Sequence, residues 1–166
     1  MLVYHGSYIE IKDPSVNFGR FNLDFGKGFY VTTLQKQAEK WSERRTRATN
    51  KKAPIISTFE FNIEGLNILS FDGYTEEWLY FVLNNRAGIA LPHQYDAIYG
   101  GMADDEIAPT VNYYVRLLKK GRIEEDDKQF FLRQLRYSKP NNQYCIATNK
   151  GINALKFKES YTLGVL

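Results

Sequence analysis

The chain has 166 residues, of which 43% are apolar and 25% charged. That is long enough for a hydrophobic core and too mixed for either a disordered chain or a membrane bundle. A net charge of +3 is too mild to imply a nucleic-acid partner by itself. Cys145 is the only cysteine, which excludes an intramolecular disulfide, and His5 and His93 stand at no metal-ligand spacing, so no metal is expected. No leader peptide and no apolar run of bilayer length is visible, so a cytoplasmic location and no membrane contact are expected.

In chain order, Leu2–Tyr4 reads as a strand and Ile9–Leu23, with Pro14 and Gly19, as a loop. Gly28–Thr32 reads as a second strand. Thr32 or Thr33 caps a helix running to about Thr49, with Thr32 and Gln35 spaced as a capping box and Leu34, Ala38 and Trp41 as its buried stripe. Arg44, Arg45, Arg47, Lys51 and Lys52 make the far end of that helix basic. Ile55, Phe59, Phe61 and Ile63 alternate with Ile56, Thr58, Glu60 and Asn62 as a half-buried strand. Gly65 turns the chain into a strand at Asn67–Phe71. Thr75 then caps a helix with Glu76 and Glu77 in its first turn, ended by Gly88. Tyr95–Tyr99 reads as a buried strand, and Pro109 opens a helix built on Val111, Tyr114, Val115 and Leu118. A helix over Glu125–Leu135, a strand over Asn142–Thr148, a short helix over Ile152–Leu155 and a strand over Tyr161–Val165 follow. The sum is one α+β domain over residues 1–166 with mainly antiparallel strands.

Chemistry concentrates in Asp24-Phe25-Gly26-Lys27-Gly28-Phe29-Tyr30-Val31-Thr32-Thr33. Gly26 and Gly28 remove side chains where a ligand or a second backbone must approach, and Tyr30 offers a flat face on a strand. Tyr4-His5-Gly6-Ser7 is a second strand end with a histidine beside glycine. The segment is neither a dinucleotide fingerprint, since Val31 stands where the third glycine belongs, nor a Walker loop. The plainer reading of Gly26 and Gly28 is a tight turn into the strand. Cys145 reads as a core residue rather than a nucleophile.

Taken together, His5-Gly6-Ser7, Phe25-Gly26-Lys27-Gly28-Phe29-Tyr30 and Asn142-Gln143 resemble the ADP-ribosyltransferase superfamily, in its branch with a histidine, a tyrosine and a third polar residue on three core strands. The chain also resembles a bacterial family of uncharacterised proteins assigned to that superfamily, through Tyr95-Asp96, Met102-Ala103-Asp104-Asp105, Pro109-Thr110, Lys139-Pro140-Asn141 and Gln143. This resemblance implies an ADP-ribosyltransferase-like split β-sheet core with surrounding helices, and NAD+ as co-substrate. It implies that His5 bonds a ribose hydroxyl on the adenosine side, the Gly6 backbone reads the nicotinamide carboxamide, Ser7 orients that end and Tyr30 stacks on the ring. Phe25, Gly26, Gly28 and Thr32 are implied to line the same site, with Arg20 on the diphosphate or simply solvated. Gln143 takes the third position, where many transferases carry glutamate; its amide can bond a ribose hydroxyl but cannot act as a general base. Asp104 and Asp105 are candidates to activate the acceptor, or else precede the helix at Pro109.

The leading expectation is a mono-ADP-ribosyltransferase acting on a macromolecule, nucleic acid being favoured slightly over protein by the basic helix end. By analogy with compact bacterial members, a toxin or phage-defence role with an antitoxin partner is implied. The alternatives are a catalytically silent NAD+-, nucleotide- or partner-binding module, which Gln143 favours, and plain NAD+ hydrolysis.

Overall fold

The computed structural model describes residues 1–51, 53–89, 93–103, 108–122, 124, 126, 129–130, 132 and 141–164. Two sheets form the centre. One is antiparallel, in the order β1 (Leu2–Ser7), β3 (Ile55–Phe61), β7 (Leu155–Thr162). The other runs β2 (Phe29–Val31), β6 (Gln143–Ile146), β5 (Ala97–Gly100), β4 (Ile68–Ser70), antiparallel except for the β5–β4 pair. The sheets are stitched at one bridge, where Tyr4 and Thr32 exchange backbone hydrogen bonds of 2.8 and 3.0 Å. The chain is thus α+β, with mixed and antiparallel pairing.

Helix α1 (Gln35–Thr49) lies on β1 and β3. Its contact is unusually close. A Cβ at Gly6 would come within 2.2 Å of the Ala38 carbonyl oxygen. Only small residues fit such an interface, so the buried face of α1 is Ala38, Ser42 and Thr46, one every turn. The expected stripe is corrected here: Leu34 is 37% and Trp41 38% exposed. The expected capping box is also absent. Leu34 occupies the N-cap, and the Gln35 amide bonds Glu39 and Tyr161 instead.

Strand β3 is buried on both faces rather than half-buried. Phe59 and Phe61 pack toward the second sheet with Val3, Phe29 and Ile146. Ile56 and Thr58, paired with Gly6 and Tyr4, lie on the α1 face. The final strand is longer and earlier than the sequence suggests. A register shift opposite Thr58/Phe59 leaves Lys158 with no residue opposite it in the ladder to β3, which breaks the alternation that marks a strand. The preceding helix is correspondingly α4, Asn149–Asn153, capped by Thr148.

Helix α2 (Glu76–Ala87) meets expectation at both ends, with the Thr75 hydroxyl accepting from the Trp78 N–H and Gly88 left-handed at φ +80°. It packs with α3 (Ala108–Lys119) over the second sheet, burying Trp78, Leu79, Val82, Val111 and Tyr114. The Glu125–Leu135 helix expected from sequence falls mostly outside the described residues. No described helix is long and apolar enough to cross a membrane.

The hydroxyls of Thr46 and Thr58, both buried, have no hydrogen-bond partner among the described residues. An unpaired buried hydroxyl costs more than the methyl that replaces it. Thr58→Val is expected to raise unfolding stability by about 1 kcal/mol in urea denaturation; a loss of that size would mean the hydroxyl is satisfied.

Candidate functional site

A cavity of about 570 Å³ opens where β1 and β2 diverge beyond the Tyr4–Thr32 bridge. Antiparallel pairing fixes which groups face it. Tyr4 turns its N–H and C=O to Thr32, so Gly6, two residues on, turns its own the same way, past the end of that pairing. The opposite carbonyl, that of Tyr30, is met instead by the side chain of His5, whose Nδ1 lies 2.7 Å away. The imidazole is stacked on Phe29 with ring centres 4.5 Å apart. A carbonyl only accepts, so Nδ1 carries the hydrogen and Nε2 keeps a lone pair. Burial pushes the His5 pKa below its ordinary value, and the bond to Tyr30 opposes this only in part. His5 is therefore a neutral hydrogen-bond acceptor beside the cavity.

Gly6 needs its glycine for helix packing, because α1 occupies the space where a side chain would go. Ser7 lines the cavity, and its hydroxyl accepts from the Ile9 N–H at 3.4 Å. Ala38, Trp41, Arg44 and Arg45 supply the α1 wall. The Arg44 guanidinium lies 5.2 Å from the centre of the Trp41 ring, and Arg45 5.8 Å from that of Tyr8. Arg20, which is exposed, also reaches the cavity.

The glycine-rich segment divides. Tyr30 and Gly28 line the cavity; Phe25 and Gly26 do not. Phe25 is 1% exposed and packs on Phe71 and Phe81 in the core, away from the cavity lining where the resemblance puts it: an apolar ring gains more from the core than from a wet cleft. Gly26, at φ +81°, makes the turn that only glycine adopts cheaply. The Tyr30 hydroxyl ties this turn down, donating to the Gly26 carbonyl at 2.7 Å and accepting from the Phe25 N–H at 3.1 Å. Burial also pushes the Tyr30 phenol well above its ordinary pKa, so it stays protonated. Thr32 lines the cavity, yet its hydroxyl is engaged, donating to Asn142 Oδ1 at 3.0 Å and accepting from the Leu34 N–H at 3.1 Å.

Gln143 is 7% exposed at the start of β6, and its Nε2 donates to Asp24 Oδ2 at 2.8 Å. Asp24, 5% exposed, is the hub of the cavity floor. Its Oδ1 accepts from Arg86 Nε–H at 2.6 Å and lies 2.6 Å from Nη2 in the ion pair, and its Oδ2 also accepts from the Ala103 N–H at 2.9 Å. Arg86 Nη2 donates onward to the Ala103 carbonyl at 3.2 Å. Three participants thus escaped the sequence. Arg86 lies four and three residues beyond the buried Val82 and Leu83, a spacing that marks an inward arginine. Trp41 shares a face with Ala38 and Arg45, the signal that it flanks the cavity. Asp24 carries no such signal, because Phe25 beside it reads from sequence as a site residue.

The structure therefore brings His5, Gly6, Ser7, Arg20, Gly28, Tyr30, Thr32 and Gln143 to one cavity. Asp104 and Asp105 lie outside the described residues. Cys145 is fully buried with its thiol pushed up to about 12, as a core residue. No group of three or more potential metal ligands occurs among the described residues.

Residues 1–157 match the model of a family described as a protein of unknown function, DUF3990. No curated protein and no solved structure matches the chain.

In nitrogen NMR, the His5 ring is expected to show hydrogen on Nδ1 and to titrate below pH 6.5. Because the folded value is depressed, protonation favours the unfolded chain, and this contribution to stability falls as pH drops through about 6.5, the unfolded value. Titration above that value would show that burial is not what governs the ring.

Proposed function

We propose that this chain, which belongs to the DUF3990 family, is an NAD+-dependent mono-ADP-ribosyltransferase with a macromolecular acceptor, built on an ADP-ribosyltransferase-like split sheet. The observation that carries this reading is the convergence of His5, Tyr30, Gln143 and the outward backbone pair of Gly6 on one cavity at the divergence of two sheets. Its volume of about 570 Å³ is in the range of small-molecule sites.

In this reading the Gly6 N–H and C=O take the nicotinamide carboxamide, which offers one acceptor and one donor in the complementary order. Trp41 and Tyr30 supply the aromatic surface beside it. His5 Nε2 accepts a hydrogen bond from a ribose hydroxyl, and Arg20, Arg44 and Arg45 supply charge for the diphosphate. Gln143 Oε1 accepts from a hydroxyl of the nicotinamide ribose. The bond between C1′ and the nicotinamide nitrogen breaks with its electron pair leaving on nicotinamide, and positive character develops on the sugar. The carbonyl dipole of Gln143 stabilises it. A lone pair of the acceptor then closes on C1′. Gln143 cannot remove a proton from that acceptor, so the acceptor group has to be nucleophilic as it arrives.

A catalytically silent NAD+-binding module is the second reading. What favours it is that Asp24, the carboxylate beside Gln143, has both oxygens engaged and so is no ready base.

NAD+ labelled on its adenylate phosphate, incubated with separate protein, RNA and DNA pools, is expected to label one pool. His5→Ala and Gln143→Ala are each expected to cut the rate about tenfold or more, equal to about 1.4 kcal/mol of transition-state stabilisation per decade. Labelling that falls steeply with salt assigns the acceptor to nucleic acid. Measurable NAD+ affinity without turnover assigns the silent module, and free ADP-ribose without an acceptor assigns a hydrolase.

A further inference from the structure

We propose that Asp24 is the positioning residue of the site: it locks the Gln143 carboxamide with its carbonyl toward the cavity, and its presence is the reason that position 143 carries glutamine rather than glutamate. The catalytic part of this proposal rests on the transferase reading above; the pairing of the two side chains does not.

A carboxamide can sit two ways, exchanging its oxygen and nitrogen with little change in shape. An ionised carboxylate removes the choice, because it only accepts. With Asp24 Oδ2 2.8 Å from one end of the Gln143 amide, that end must be the nitrogen, and Oε1 points away from Asp24. The clamp is itself rigid. Arg86 holds Oδ1 through its Nε–H at 2.6 Å with Nη2 at the same distance in the ion pair, and the Ala103 N–H holds Oδ2 at 2.9 Å. These come from α2 and from the turn after β5, the strand whose Gly100 pairs with Gln143. A hydrogen bond to a carboxylate also polarises the amide, leaving its carbonyl oxygen richer in electron density where the ribose would lie.

The same geometry constrains which side chain is tolerated. A glutamate at position 143 would set two carboxylates at hydrogen-bond distance in a buried floor, facing one guanidinium that is already engaged. Like charges so placed cannot both ionise, so one proton would be held between them. The floor accepts one acid and one amide, and Asp24 takes the acid.

The test is the set wild type, Gln143→Glu and Asp24→Asn. Gln143→Glu is expected to lose at least about tenfold in NAD+ cleavage at pH 8, regaining activity toward acid pH. Asp24→Asn is expected to lose a similar factor while retaining most of its NAD+ affinity, since what fails is the aim of Gln143. A merely structural aspartate would lower affinity and rate together and leave the pH profile of Gln143→Glu unshifted. Melting curves read the pairing without NAD+. Gln143→Glu should gain stability as pH falls from about 8 to 5, because the folded pair holds a proton that free carboxylates near pKa 4 have released. Melting of Gln143→Glu with the wild-type pH dependence, or Asp24→Asn with wild-type turnover, overturns the proposal. Wild type that cleaves no NAD+ overturns the transferase reading instead, and the melting series still decides the pairing.

Discussion

The buried carboxylate of Asp24 is the point on which the cavity floor depends. It gathers the segment before β2, the last turn of α2, the turn after β5 and the start of β6 onto one pair of oxygens. A buried charge is tolerated only when its partners are in place, and removing one partner of such a pair costs about 3–5 kcal/mol. Four segments distant in sequence therefore have to arrive together. That requirement gives the floor a single geometry where loops alone would permit several.

A second constraint shapes the wall. Helix α1 rests directly on the backbone of β1 at Gly6, and the small residues Ala38, Ser42 and Thr46 let it descend. Because the helix spends no large side chain on that contact, Trp41 is left to stand beside the cavity. The close approach also caps one side of the strand while β2 swings away on its edge. Backbone groups of β1 with no hydrogen-bond partner among the described residues then face the cavity. His5 props this gap open by taking the Tyr30 carbonyl that a continuous sheet would have paired. Tight helix packing and an interrupted ladder are two aspects of one arrangement.

Local signals explain which elements were legible. Helix α2 carries a threonine cap, first-turn glutamates and a terminal glycine, each acting within a few residues, and its bounds follow from them. The strands β2 and β5 are short apolar runs, read without knowing their partners. The last strand was obscured because a bulge resets the alternation, and a bulge is defined by the opposing strand. The polar stripe of α1 was misread for a similar reason. Ser42 and Thr46 are buried only because Gly6 lies beneath the helix, a fact of packing rather than of helical periodicity. In the site, His5, Gly6, Tyr30 and Gln143 stand out by motif, while Asp24 and Arg86 do not, since the inward spacing of Arg86 names no partner and an ion pair separated by 62 residues leaves no pattern at Asp24.

By itself the sequence determined the class of the fold, the positions of most elements and the side chains that carry the candidate chemistry, because caps, turn glycines and apolar periodicity act over a few residues. Tertiary structure alone decided that β1 and β2 part, that Phe25 belongs to the core and Trp41 to the cavity, and that Gln143 is aimed by a carboxylate. Those outcomes depend on which surfaces meet and which charges are left without water. Such conditions exist only once segments from across the chain have been brought into contact.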